Sequence, residues 1–233
     1  MIGLAPHTGK IIDAVAQLEC IRPYWLVGGT ALSLQLHTRQ SEDLDFQKWR
    51  TSKDEKMEVA WDVIEKELST IGEIERRDIY DFDHVEFRVA GVKFSFYACD
   101  KYSPVQNEVI YQGNIKLADV MAIGAMKMEV MLRRSNFRDY YDIYSILQTG
   151  IDIHELMNHA LQYSRHRLKS KNLLSMLTRG ELFAQDANFH LLEPIYNVSA
   201  QEIAESIMTP INITSILLQK TASNMSFWMK DGQ

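Results

Sequence analysis

Residues 28–46 read GGTALSLQLHTRQSEDLDF, and this stretch decides the fold. The apolar run YWLV directly before it predicts a short strand that ends at Gly28 and Gly29. A brief helix, ALSLQLH, is predicted to follow from Thr30, and the alternating DLDFQ predicts a second strand. The stretch therefore predicts a strand–helix–strand unit, with glycines at the first junction and acids on the second strand.

Two carboxylates, Asp43 and Asp45, are separated by one residue on the second predicted strand. Residues i and i+2 of a strand point to the same face, roughly 6.6 Å apart at Cα. Two carboxylates this close repel each other unless a cation lies between them. Divalent metal ions that clamp the attacking and leaving oxygens suit such a pair, and Mg²⁺ needs few protein carboxylates. Asp43 and Asp45 are therefore predicted to be metal ligands and catalytic residues.

The residues around these acids offer donors to phosphates. Gly28 and Gly29 let the backbone approach a phosphate closely, and the N–H groups at the helix start point at it. Thr30 adds a hydroxyl, and Arg39 and Ser41 add further donors to a triphosphate. A lone Gly-Gly is more often a turn and a lone D-x-D an exposed polar face, but together at this spacing they favour a nucleotide site.

The rest of the first half is predicted to be mixed α and β. Helical spacing over residues 53–71 ends at Gly72, which favours a helix there. Two alternating runs, HVEFRVA and VKFSFYA, are joined at Ala90 and Gly91 and predict a β-hairpin.

The second half is predicted to be helical. Three helical runs follow one another after residue 116, and a last pattern from Ser199, interrupted by Pro210, extends to about Trp228. We therefore predict an α/β domain over residues 1–116 and a helical domain over residues 117–233.

Composition argues against several classes of protein. The 233 residues are 46% hydrophobic and 24% charged, as in ordinary globular proteins. No stretch approaches the roughly 18 consecutive apolar residues of a membrane-spanning helix, and the N-terminus lacks the apolar segment of a signal peptide. Cys20 and Cys99 are too few for a disulfide framework or a metal cluster. These features predict a cytoplasmic protein that does not insert into membranes.

The charge is unevenly distributed along the chain. The net charge of −6 argues against a dedicated nucleic-acid coat protein. Between residues 157 and 179, however, there is no Asp or Glu. This tract contains the basic residues Arg165, Arg167, Lys169, Lys171 and Arg179. Such a run is more often a solvated face, and the alternative is a surface for the phosphates of a nucleic-acid acceptor.

The order of the motifs resembles a known family. GG-T followed by R-x-S-x-D-L-D-F is similar to the first motif of the nucleotidyltransferase fold shared with DNA polymerase beta. LADVMAIGAMKMEVMLRRSNFRDYYDIYSIL resembles the second and third motifs of the AbiEii/AbiGii toxin family, which includes the MenT toxins. Over residues 25–47 and 115–147, the chain is identified as a member of that family. The resemblance implies an α+β nucleotidyltransferase fold with a small mixed sheet and flanking helices, followed by a helical C-terminal domain that completes the active-site cleft.

The resemblance also assigns roles in the helical half. It implies that Lys127, in an otherwise apolar helix, pairs with the nucleotide phosphates; from the residues alone, this lysine would equally reach out to the surface. It makes Asp139 the candidate base or metal-site carboxylate. Arg134 lies seven residues after Lys127 on the same helical face, and Arg138 and Asp142 are i, i+4 partners. These last three are predicted to be supporting residues.

The sequence departs from the family pattern in two places. Many nucleotidyltransferases carry a third Asp on a later strand, but VKFSFYACD has Ser95 between two phenylalanines and no acid before Asp100. Asn136 stands where the family's basic turn often has a Lys. Asp139 is one replacement for the missing acid; the alternatives are a single metal ion or lost activity.

The resemblance implies a metal-dependent nucleotidyltransferase that uses Mg²⁺ or Mn²⁺ and transfers a nucleoside monophosphate from an NTP to an acceptor. Toxins of the family modify tRNA ends or proteins, so tRNA is the predicted acceptor, protein is the alternative, and a cognate antitoxin is a predicted partner. Two other functions stay open. One is a non-catalytic nucleotide- or partner-binding protein with the same fold, and the other is a small-molecule nucleotidyltransferase of the antibiotic-modifying type.

Overall fold

The strands of the described residues form one mixed sheet. The computed structural model describes residues 3–165, 167–184 and 186–209. Within these ranges the sheet has seven strands in the order β3-β4-β5-β2-β1-β7-β6. They are β1 (Trp25–Val27), β2 (Leu44–Trp49), β3 (Ile74–Asp81), β4 (His84–Val89), β5 (Val92–Cys99), β6 (Val109–Gln112) and β7 (Ile115–Leu117).

Helices precede, interrupt and follow this sheet along the chain. They are α1 (Pro6–Val15), α2 (Gly28–Leu36), α3 (Trp61–Leu68), α4 (Val120–Val130), α5 (Phe137–Leu147), α6 (Ile153–Tyr163) and α7 (Ser170–Leu177). Short 3₁₀ helices cover Gly180–Leu182 and Phe189–Leu192, and residues 200–209 are helical. Among the described residues, no helix combines the length and the apolar character needed to cross a membrane.

The predicted strand–helix–strand unit lies at the centre of the sheet. β1 runs antiparallel to β2 and parallel to β7, and β2 runs parallel to β5. Helix α2 begins two residues earlier than predicted, at Gly28, and β2 begins one residue later, at Leu44. Asp43 therefore immediately precedes the strand, while Asp45 lies within it.

The two faces of the sheet differ in chemistry because side chains alternate along each strand. On one face, Phe46 and Phe96 stack with ring centroids 5.2 Å apart, and Phe87 meets Phe96 edge-on at 6.4 Å. These three rings are at most 1% exposed, so this face belongs to the core. On the other face, Ser95 of β5 is the neighbour of Asp45 in β2. The aromatic core thus fixes the register that presents the polar residues together.

The predicted α+β fold class is confirmed, although several elements differ from the sequence expectation. The hairpin at Ala90 and Gly91 forms as predicted, and both residues have positive φ (51° and 75°), as tight two-residue hairpin turns require. The predicted helix over residues 53–71 is wrong in its first part, since only Trp61–Leu68 is helical. The sequence patterns also do not predict β3, β6, β7 or α7.

The helical runs after residue 116 form α4, α5 and α6 as predicted. Helix α4 is capped by Asp119, which accepts a hydrogen bond from the Ala122 N–H at 2.8 Å. Helix α5 is capped by Asn136, whose side-chain oxygen accepts from the Arg138 N–H at 2.9 Å. Asn is among the residues most favoured at this position. The residue that departs from the family's basic turn therefore has a structural role at the start of α5.

The predicted boundary between the two halves falls inside β7. Buried apolar side chains of the sheet and of α4–α6 belong to one continuous core. Because both halves share this core, the core gives no boundary between them, and the predicted division into two domains at residues 116/117 stays a prediction. The last predicted helix reaches residue 209 in the structure, and its part from Pro210 to Trp228 lies outside the described residues.

Candidate active site

One cavity, of about 690 Å³, collects residues from the sheet and from the helices. This volume is in the usual range for a site that holds one small molecule. The predicted site residues that line it are Gly28, Gly29, Arg39, Ser41, Asp43, Asp45, Lys127, Arg134, Arg138, Asp139 and Arg167. The two halves of the chain thus share one cavity.

The two acids of the first motif differ in their surroundings. The Asp43 side chain is 48% exposed, and its Oδ2 lies 3.4 Å from the Lys93 ammonium. Asp45 is more enclosed: burial raises its pKa, against the opposing effects of Lys93 and of a hydrogen bond from Ser95. A Cβ at Gly28 would come within 2.9 Å of Asp45 Oδ2, so the glycine leaves room for this carboxylate. The two acids therefore lie beside the Lys93 ammonium, in a place where a positive charge is stabilised.

Lys93 is a site residue that the sequence analysis does not identify. Because side chains alternate along β5, Lys93 and Tyr97 share the face of Ser95, and both line the cavity. The alternation in VKFSFYA contains this signal. Lys93 Nζ also lies 3.9 Å from Glu86 Oε1 on β4. An acid is therefore present on the strand next to β5, where many nucleotidyltransferases carry their third Asp.

A buried ion network joins the segment before β2 to α4 and α5. The Arg39 guanidinium donates two hydrogen bonds to Asp142, at 2.8 and 2.9 Å. Lys127 Nζ lies 2.7 Å from Asp142 and 2.9 Å from Asp139. Arg134, which is largely exposed, lies 3.0 Å from Asp139. The network holds Lys127 at the cavity wall, where Asp139 and Asp142 both pair with its ammonium.

The charges of this network are mutually stabilised. Burial alone would raise the pKa of Asp142, but Arg39 and Lys127 outweigh it and hold that pKa below its usual range. The same balance, with Lys127 and Arg134 as the cations, lowers the pKa of Asp139. Burial alone would lower the pKa of Lys127, but Asp142 and Asp139 outweigh it, so this pKa is raised. Both acids and the lysine therefore stay ionised near neutral pH.

The surroundings of Asp139 bear on its two predicted roles, general base or metal-site carboxylate. A carboxylate with a lowered pKa, held by Lys127 and Arg134, is a poor proton acceptor, so Asp139 does not suit the role of general base. Its other predicted role, as a metal-site carboxylate, stays a prediction. In the ranges that the structure describes, no group of three or more His, Cys, Asp or Glu side chains is arranged to hold a metal ion. The contacts of the Asp139 carboxylate in the structure are its ion pairs with Lys127 and Arg134.

Two of the predicted phosphate donors are engaged inside the protein. The Thr30 hydroxyl is buried, donates to the backbone carbonyl of Asp43 and lies 2.8 Å from Ser41 Oγ. All three nitrogens of the Arg39 guanidinium donate within the chain, to Asp142 or to a backbone carbonyl. Thr30 and Arg39 therefore fix the position of the first motif. Arg39 also lines the cavity, and the predicted contacts of both residues with phosphates stay predictions.

Arg138 also has partners other than the one expected from helical spacing. It does not pair with Asp142 four residues on, because Asp142 points to Arg39 and Lys127. Its guanidinium lies 2.7 Å from Asp186 and 3.8 Å from Glu42. Arg138 therefore ties α5 to two loops at the edge of the cavity.

The basic tract of residues 157–179 does not form one surface at this cavity. Arg167 lines the cavity. Arg165 donates to a backbone carbonyl at 2.9 Å, and Arg179 pairs at 2.8 Å with a glutamate two residues on. Lys169 and Lys171 are exposed around the start of α7. Of the five predicted acceptor-binding residues, Arg167 is the one placed to meet a molecule in this cavity.

Comparisons with known proteins give relatives in sequence and in fold. The sequence matches the family described as "Nucleotidyl transferase AbiEii toxin, Type IV TA system" over residues 18–209. It is 24% identical over 190 residues to the protein named "Uncharacterized protein aq_aa25" of Aquifex aeolicus (strain VF5), across 80% of this chain and 85% of that protein. The fold is similar to that of MenT4, a nucleotidyltransferase toxin of Mycobacterium tuberculosis H37Rv, with a TM-score of 0.52 and 15% identity. This likeness covers 81% of this chain and 75% of MenT4 and, at that identity, shows the fold alone.

The family match confirms the relationship predicted from the first motif and from the two helical motifs. It includes both carboxylates of the first motif and the whole of α4 and α5. Since the match spans most of the described residues, the chain belongs to the AbiEii family of nucleotidyltransferase toxins.

Proposed function

We propose that the protein transfers a nucleoside monophosphate from an NTP to an RNA acceptor, with tRNA as that acceptor. The observation that carries the proposal is the shared cavity, which is lined by Asp43, just before β2, by Asp45 within β2 and by the charged Lys127 of the helical half. Phosphoryl-group transfer depends mostly on positioning and on neutralising phosphate charge, and this cavity offers both. The family's type IV toxin–antitoxin systems imply a cognate antitoxin as a partner.

Asp43 and Asp45 are the proposed ligands of Mg²⁺ or Mn²⁺. Carboxylate oxygens are the ligands that these hard cations prefer. The Lys93 ammonium, 3.4 Å from Asp43, indicates that a cation fits beside these acids. When bound, the ion supplies positive charge to the oxygens of the triphosphate.

The protein's own groups bind and orient the NTP. The backbone of Gly28 and Gly29, at the start of α2, receives the triphosphate, and Ser41 and Lys127 add a hydroxyl and an ammonium. The acceptor's hydroxyl oxygen forms a bond to the α-phosphorus and gives up its proton to water. The bond from that phosphorus to the pyrophosphate oxygen breaks, and pyrophosphate leaves. Arg39 contributes indirectly, because its hydrogen bonds to Asp142 keep Lys127 in place.

Free guanidinium groups at the cavity support an RNA acceptor. Arg133 and Arg167 are exposed, and both line the cavity. Among the described residues neither has an ion-pair partner, whereas Lys127, Arg134 and Arg138 are all paired with acids. Unpaired arginines suit the phosphates of a nucleic-acid strand.

A labelling experiment tests this function. The protein is incubated with Mg²⁺ and each α-labelled NTP in turn, together with total RNA or with a protein extract. We expect label in RNA that ribonuclease removes. Label that protease removes instead would overturn the RNA acceptor, and no label with any NTP would overturn the transfer reaction.

Charge-reversal variants test the acceptor contacts. Arg133→Glu with Arg167→Glu is expected to raise the KM for RNA and to flatten its dependence on salt, because fewer phosphate contacts release fewer counterions. Lys53→Glu, at an exposed lysine outside the cavity, is the matched control. An unchanged salt dependence in the double variant would leave these arginines without a role in RNA binding.

A further inference from the structure

A second cavity, of about 410 Å³, adjoins the catalytic one. Lys101 and Tyr163 line both cavities, so their side chains form the partition between them. Both residues are buried. A group bound in the second cavity therefore lies directly beside the molecule that fills the first.

The partition is held in place by contacts on both of its members. Lys101 forms an ion pair with Glu129, and its Nζ lies 4.2 Å from the centroid of the Tyr163 ring. The Tyr163 hydroxyl accepts hydrogen bonds from Gln47 and Trp49, both at 3.2 Å. Glu129 and the Tyr163 ring thus hold Lys101 in the wall between the two cavities.

The outer wall of the second cavity is a loop, residues 102–106, that is fixed at two points. A ring nitrogen of His159 on α6 lies 3.1 Å from the carbonyl oxygen of Pro104. The backbone N–H of Gln106 donates to Asp119, the cap of α4, at 2.7 Å. The cavity is therefore largely formed in advance, which lowers the entropy lost when a ligand binds.

The lining carries the groups that recognise a nucleobase. The Tyr102 ring is 51% exposed, and the guanidinium of Arg165 lies 5.9 Å from its centroid. The exposed side chains of Gln106 and Gln162 carry amides, which both donate and accept hydrogen bonds. Proteins hold single-stranded bases by stacking them on aromatic rings and by hydrogen bonding to their edges.

We propose that the second cavity binds a nucleobase of the RNA acceptor, next to the nucleotide that receives the transferred group. This inference rests on the proposed function. The catalytic cavity contains the glycine backbone that receives the triphosphate, so the NTP and the reacting hydroxyl of the acceptor meet there. The cavity beyond Lys101 and Tyr163 is then left for a neighbouring nucleotide. Arg165 lies on its rim, where its guanidinium is 4.0 Å from the exposed Asp100 carboxylate and faces the Tyr102 ring.

Steady-state kinetics with Tyr102 variants test the proposal. Loss of one stacked base by alanine substitution weakens binding by roughly 5- to 100-fold. We therefore expect Tyr102→Ala to raise the KM for RNA by about that factor, with the KM for NTP unchanged. Tyr102→Phe keeps the ring and is expected to behave as wild type. Phe82→Ala removes an aromatic that is 62% exposed and lies outside both cavities, which makes it the matched control.

The outcomes separate this site from the proposed function. If Tyr102→Ala transfers to RNA with an unchanged KM for RNA, the nucleobase site is wrong while the function stands. A rise in the KM for NTP alone would also overturn it, since the base in the cavity would then belong to the NTP. If wild type transfers nothing to RNA, a short single-stranded oligoribonucleotide is titrated against Asp45→Asn with and without Tyr102→Ala; equal affinities would overturn the site.

Discussion

Asp142→Ala removes the acid on which two buried cations depend. The Asp142 side chain is 1% exposed, accepts two hydrogen bonds from Arg39 and lies 2.7 Å from Lys127 Nζ. Without it, Arg39 loses its acidic partner and Lys127 keeps Asp139 alone. Removing one partner from a buried ion pair typically costs about 3–5 kcal/mol, because a buried charge is left uncompensated.

This loss translates into a large shift in melting temperature. In a chain of this length, each kcal/mol of unfolding free energy shifts the Tm by roughly 2–4 °C. Asp142→Ala is therefore expected to lower the Tm by roughly 6–20 °C. Nucleotide affinity is expected to fall as well, because Lys127 is no longer held at the cavity wall.

Thermal unfolding followed by circular dichroism measures the first effect, and calorimetric titration with a nucleotide measures the second. Asp78→Ala is the matched control, since it removes an aspartate that pairs at 2.6 Å with the exposed Arg76. We expect the Tm of this control to stay close to that of wild type. If Asp142→Ala lowers the Tm no more than Asp78→Ala does, the reasoning from buried charge is refuted.

Three further predictions follow from the same site. A Cβ at Gly29 would overlap the Arg39 guanidinium, so Gly29→Ala should lower both the nucleotide affinity and the urea midpoint of unfolding. If neither value changes, Gly29 serves only as a turn residue. The pKa of Asp142 is lowered in the folded state, so the stability that this carboxylate contributes is present above the unfolded pKa of roughly 4 and is lost as pH falls through the folded pKa. As the pH is lowered, the urea midpoint should therefore fall more steeply in wild type than in Asp142→Asn. Equal slopes would contradict this. Lys93→Ala removes a positive charge beside the two proposed metal ligands and should strengthen Mn²⁺ binding by about 1 kcal/mol in calorimetry. Unchanged affinity would argue against a metal at these acids.

The parts of the fold that the sequence predicts are those with strong local patterns. The central strand–helix–strand unit and the hairpin at Ala90 and Gly91 combine apolar runs with glycine signals, and both form close to their predicted positions. β3, in contrast, is mostly exposed and reads IERRDIYD, so it has no apolar alternation that marks a strand. Its pairing with β4 exists only in the folded sheet.

In the candidate site, too, residues that are close in the sequence could be predicted to lie together, whereas partners that are distant in the sequence could not. The pair Asp43 and Asp45 is visible in the sequence because its spacing alone places two carboxylates together. The partner of Arg39 is not visible, since Asp142 is 103 residues away along the chain. Helical spacing suggests Arg138 as the partner of Asp142, but the buried Asp142 instead pairs with Arg39, in the segment before β2, and with Lys127 of α4. Contacts of this kind depend on how the halves pack, which local patterns do not contain.

The most direct test of the central claim is the rate of label transfer by Asp45→Asn at saturating Mg²⁺ and NTP. Asparagine keeps the shape of the side chain but removes the charge that, in our account, holds the metal ion beside the triphosphate. We predict that the rate falls by roughly 10²-fold or more, as is typical when a group acting directly in the reaction is removed, while the circular dichroism spectrum and Tm remain those of a folded protein. A folded Asp45→Asn variant that transfers label at the wild-type rate would contradict the assignment of these carboxylates as the catalytic centre.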